Sequence, residues 1–214
     1  GIKASDTAYA EGSNTMPGKV EVVNFPELLK VTGNEGIWAW MKQGKVFISS
    51  DADQNDLVLG QTSFANTTPT FLLHVPANVI AVPLSVSLGQ AGTVAGGDIS
   101  VHIEIDEVTR WSTGGTAEKV FRPYVFPHEG PSISQCTLYT NPTAVAGYGI
   151  KIWGTVVGPD VSTAEGAINN PDWVSDLPYM LKGPAAFLVY TYAATTGPSW
   201  DWNVKWLELK EADL

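Results

Sequence analysis

Large apolar residues stand at every second position along Trp200, Trp202, Val204 and Trp206, while Asp201, Asn203 and Lys205 fill the places between. That period of two marks a half-buried strand, because a helix would scatter the same positions around its axis. Each of the three indoles brings about 150–250 Å² of apolar surface to one face, so this strand closes a core. Residues 186–193 are expected to form a second strand before it, separated by the turn residues Thr195, Thr196, Gly197 and Pro198. The same pattern predicts strands at 70–76, 79–88, 99–106, 118–125, 134–140 and 149–157. Breaks rich in Gly, Pro and Asn recur roughly every ten residues, the rhythm of sandwiches and barrels.

Residues 37–41 and 45–49 flank Gln43 and Gly44 as an expected hairpin. Pro76 and Pro83 each lack a ladder donor, which places them at a strand start, a bulge or an edge. Residues 1–35 differ from the rest: Gly, Ser, Asn, Thr and Pro dominate, and Val20, Val22, Val23 and Phe25 offer the one short strand-like run. They read as an N-terminal arm ahead of a single β-sandwich domain over residues 36–214. A polar terminal segment of this kind can order on a neighbouring subunit, so Val20, Val22 and Phe25 are expected interface residues. Residues 158–178 make the longest stretch without strand periodicity. Within it Trp173 is either an interface anchor or a pin that holds the loop to its own sandwich.

Composition narrows the function. The chain has 214 residues, enough for one large β domain, and 16% of them are charged against a typical ~25%. Asp and Glu outnumber Lys and Arg by 22 to 12, a formal charge of −10. An acidic chain without a basic cluster does not grip nucleic-acid phosphates directly. The single Cys136 allows no internal disulfide and is expected to be a small buried side chain. No run of 18 apolar residues exists, so no membrane helix is expected, and the start at Gly1 lacks the order of a signal peptide. Synthesis in a cytoplasm without export follows as an expectation.

Candidate chemistry is sparse. His102, Glu104 and Asp106 share one face of the strand at 99–106, but Ile99, Val101, Ile103 and Ile105 make the other face apolar. The polar row is therefore expected to be the solvated side and not a metal face, since three ligands along one strand rarely converge. Asp51, Asp53, Asn55 and Asp56 resemble the start of a calcium loop, yet the sixth position is Asp56 instead of Gly and the twelfth is Thr62 instead of Glu. An Asp/Asn turn is the expectation there. His74, His102 and His128 accompany no nucleophile elbow or Cys-His motif, and Gly147 and Gly149 lack the third glycine of a dinucleotide site. No enzyme activity, cofactor or metal is expected.

With the strands placed, residues 64–77, 82–86 and 92–101 resemble structural proteins of jelly-roll type from tailed bacteriophage virions. Residues 186–197 and 206–209 are similar to the closing strands of such proteins. The resemblance implies an all-β, antiparallel jelly-roll-like sandwich. It also implies a virion component made in the host bacterial cytoplasm, a trimeric capsid cement or decoration protein whose partners are its own copies and the major capsid protein or another virion protein. A carbohydrate- or receptor-binding β-sandwich module is the alternative, with Trp38, Trp40, Trp111 and Trp173 as its stacking candidates. Ring exposure separates the two.

Overall fold

The computed structural model describes residues 34–51, 57–92, 95–123, 133–158 and 170–210. One helix, α1 (Asn34–Lys42), opens the described chain. Strands follow as β1 (Val46–Ser50), β2 (Val58–Leu59), β3 (Phe71–Val75), β4 (Ile80–Gln90), β5 (Ile99–Asp106), β6 (Trp111–Thr113) and β7 (Thr116–Ala117). The remainder are β8 (Thr137–Thr140), β9 (Thr143–Ala144), β10 (Ile150–Val157), β11 (Trp173–Val174), β12 (Leu181–Lys182), β13 (Ala185–Ala193) and β14 (Ser199–Leu209).

Two antiparallel sheets face each other. One runs β1-β14-β4-β11, with β12 also on β4 and β2 on β14; the other runs β10-β5-β13-β3-β8-β7. Counted along the chain, the eight main strands are β1, β3, β4, β5, β10, β11 with β12, β13 and β14. The first sheet then reads 1-8-3-6 and the second 5-4-7-2, which is the double Greek key of a jelly roll. The expected all-β sandwich is present, and its topology is that of a jelly roll.

Period-two patterning built the core as expected. Trp200, Trp202, Val204 and Trp206 of β14 are buried among Phe47, Val86 and Leu88 of their own sheet and Phe71, Val101 and Phe187 of the facing one. Asp201 is exposed, and Asn203 and Lys205 are half-buried on the reverse face. Pro83 sits where the β14–β4 register slips between Lys205 and Trp206, so the missing N–H falls at an irregularity in the ladder. Cys136 is buried as expected, and burial raises its thiol pKa, with the nearby Glu208 carboxylate adding to the rise.

Two expectations are corrected. Residues 37–41 form α1 instead of the first arm of a hairpin. Trp40 is buried and Ile37 and Met41 half-buried, whereas Trp38 and Ala39 face solvent, so the apolar positions obey a helical period toward the sheet. Gly44, taken as the hairpin turn, ends the helix: at φ 70° its N–H bonds the Met41 carbonyl at 2.9 Å, and that of Lys45 bonds the Trp40 carbonyl at 3.0 Å. This paired pattern is a Schellman cap. The expected strand at 118–125 is likewise absent within its described residues, 118–123. There the backbone crosses from one sheet to the other: the Glu118 N–H bonds the Leu138 carbonyl at 2.9 Å, and Phe121 exchanges two bonds with Ile48 at 2.7 and 2.8 Å.

Candidate functional site

The polar row on β5 is the first place to look for chemistry, and it is not solvated. His102 and Glu104 are 9% and 5% exposed, because β5 lies inside its sheet between β10 and β13 and loops close over its outer face. The expectation of a solvated side fails because the alternation of β5 reports side-chain polarity and not what lies above it.

Arg110, four residues beyond Asp106, holds that cover in place. It is 1% exposed and spends its guanidinium on four acceptors: Nη1 to Asp106 Oδ2 at 2.8 Å, Nε to the Val145 carbonyl at 2.8 Å, and Nη2 to the carbonyls of Asn66 at 3.0 Å and Gly147 at 2.8 Å. The Tyr190 hydroxyl donates to the same Asn66 carbonyl at 3.1 Å. The Gly149 N–H donates to Glu104 Oε2 at 3.3 Å. A Cβ at Gly149 would stand 2.5 Å from the Ile105 carbonyl oxygen, so only glycine lets the loop lie this close to β5. The Gly147 and Gly149 pair thus serves packing.

His102 Nε2 lies 3.1 Å from Glu104 Oε1, with the Phe64 ring centroid 4.7 Å and the Tyr190 centroid 4.9 Å from the imidazole. Burial lowers the His102 pKa, Glu104 pulls it back upward, and Lys151 adds a smaller lowering. Tyr190 is shifted upward, chiefly by burial. The arrangement joins loops at 64–66 and 145–149 to the sheet, and its donors and acceptors are already engaged with one another. Arg110 is not among the candidates that residue pattern alone suggests; its spacing of four from Asp106 is the signal that was there to read.

Other candidates scatter. Asp51, Asp172 and Asp201 border one depression with Asn170 and Asn203, but among the described residues no three His, Cys, Asp or Glu side chains are placed to hold a metal ion. Asp53, Asn55, Asp56 and His128 lie outside the described residues, as do the expected interface residues Val20, Val22 and Phe25. Trp173 pins its own sandwich: it is 4% exposed and its ring centroid lies 5.5 Å from that of Phe187. Burial in this core removes it as an interface anchor. Of the stacking candidates, Trp40 is also buried, beneath the Lys45 ammonium at 4.5 Å. Trp111 is half-buried and stacked on Tyr139 at 5.1 Å. Trp38 alone of the four is exposed, at 59%.

Apolar side chains do reach the surface elsewhere. Tyr148, Ile150 and Val156 stand out along and beside β10, and Val174 and Leu177 lie near β11. Val174 and Leu177 border a cavity of about 470 Å³ whose floor is Val82, Pro83 and Leu84 of β4 and whose far wall includes Ile37 and Met41 of α1. No described helix is long and apolar enough to cross a membrane. Fold and surface together define the class as a jelly-roll sandwich with a sealed polar face and uncovered apolar edges. No protein-family model, curated protein or solved structure matches the chain.

Proposed function

We propose that the chain is a non-enzymatic structural protein of a bacteriophage virion, a cement or decoration subunit that works as a homotrimer on the capsid surface. The observation that carries this reading is the complete jelly-roll strand order. It comes with side chains suited to contact: exposed Ile150 and Val156 on edge strand β10 of a chain in which 16% of residues are charged. Exposed apolar groups at sheet edges favour burial against another protein surface. A closed threefold ring leaves no such surface unsatisfied, which is why a trimer suits wedge-shaped sandwiches. The acidic balance fits a position on the outer shell, away from contact with the packaged genome.

The residues that resemble general acids and bases support the non-enzymatic reading by their engagement. His102, Glu104, Asp106 and Arg110 hold loops to the sheet and bond one another. Cosedimentation with phage capsids tests the proposal. Saturable binding to capsids stripped of their surface proteins is expected, and failure to bind together with specific capture on a glycan array, lost in Trp38→Ala, would transfer the protein to the carbohydrate-binding class.

A further inference from the structure

The groove beside α1 breaks the regularity of the first sheet. β11 pairs with β4 at Val86 and Ser85, and β12 pairs with it at Ala81 and Ile80. Between them Val82, Pro83 and Leu84 face a space that residues 175–180 skirt, with one bond from the Ser175 N–H to the Leu84 carbonyl at 2.9 Å. The resulting cavity of about 470 Å³ lies within the size range of ligand pockets, about 300–1,000 Å³. Its lining is apolar apart from Ser85, Ser175 and Lys205.

We propose that this groove is the seat of the chain's own residues 20–29. Within residues 1–33 that decapeptide gathers six large apolar side chains, Val20, Val22, Val23, Phe25, Leu28 and Leu29. Five backbone steps separate Leu29 from Asn34, where α1 begins. Such a link reaches up to about 17 Å, and Ile37 and Met41 on that same helix form a wall of the groove. Connectivity therefore delivers the segment at an effective concentration of about millimolar, which a free partner would have to exceed. Glu21 and Glu27 give the decapeptide a charge opposite to that of Lys205 at the groove. Sequence alone favoured a crossing to a neighbour for Val20, Val22 and Phe25; the groove offers them a nearer site. This inference concerns a single chain and takes Val174 and Leu177 for the groove, leaving Ile150 and Val156 of β10 to the assembly reading.

Disulfide trapping in the full-length protein tests it. Leu177 is 57% exposed, so a cysteine there leaves the core intact, and Cys136 is too buried to compete. Two double variants, Val22→Cys with Leu177→Cys and Phe25→Cys with Leu177→Cys, are oxidised gently and run unreduced beside controls in which Ile150→Cys replaces Leu177→Cys. The expected product is a monomer with an internal disulfide, formed at least about tenfold faster than in the controls, as mM-range proximity requires. A disulfide-linked dimer would assign the groove to the arm of a second copy and overturn the proposal, as would equal rates at the two positions. Hydrogen exchange on the full chain supplies a second readout. Leu177→Asp should speed exchange at residues 20–29 about tenfold, and unchanged exchange would also overturn it.

Discussion

The two outer faces of the sandwich are covered by opposite means. Over the first sheet, Trp40 of α1 packs with Val46, Ile80, Val82, Leu207 and Leu209, an apolar cover held by area. Over the second, loops are tied down by directed bonds that converge on Arg110, with His102, Glu104 and Tyr190 beside it. Apolar contact has no required direction and tolerates a change of shape, whereas a buried charge stripped of its partner has no cheap alternative. The covers should therefore differ less in total strength than in how they fail.

The largest effect should come from Arg110→Ala, which leaves Asp106 and three carbonyls without their donor; removing one partner of a buried pair costs about 3–5 kcal/mol, read from urea unfolding. Even Arg110→Lys should lose most of that, since an ammonium cannot span four acceptors arranged for a planar fork. On the other face, Trp40→Phe should cost less than about 1.5 kcal/mol, the range of tolerated apolar swaps. A Trp40→Phe loss equal to that of Arg110→Lys would erase the comparison. In the core between the sheets, Trp202→Ala should cost about 3–5 kcal/mol, which calibrates both faces against a site of pure packing.

Acid sharpens the contrast next. His102 and His74 both lie on the outer side of the second sheet, and burial holds both pKa values below 6.5 in the folded chain. A depressed histidine pKa means that the unfolded chain takes up protons first. Stability from this source is thus complete above about pH 6.5 and declines as pH falls below it. Denaturant midpoints should drop on going from about pH 7.5 to pH 5, and His102→Gln should flatten the drop. A midpoint that rises on acidification in the wild-type chain would contradict the assignment. The smallest effect belongs to the uncovered surface: Ile150→Thr should change monomer stability by less than about 0.5 kcal/mol.

Inner faces were legible from sequence because the apolar positions Trp200, Trp202, Val204 and Trp206 of β14 and Ile99, Val101 and Ile103 of β5 alternate with polar ones and are all buried in the core between the sheets. Outer faces were not. His102 and Glu104 look identical in sequence whether water or a loop lies above them, and the loops that seal them come from residues 64–66 and 145–149, remote along the chain. Ile37, Trp38, Trp40 and Met41 fit either period over so short a run, and Gly44 serves a hairpin and a helix cap equally well. Sheet order rests on long-range pairings such as Val46 with Leu207. Local alternation carries no trace of such partners, and the jelly-roll expectation came from resemblance instead.

The contact role proposed for this chain depends above all on self-association, and light scattering coupled to size exclusion measures it directly. A discrete species of three chains that persists on dilution is expected, with loss of that species in an Ile150→Lys, Val156→Lys variant that remains folded. A wild-type chain that stays monomeric at every concentration, with the double variant indistinguishable from it, would contradict a function built on subunit contacts.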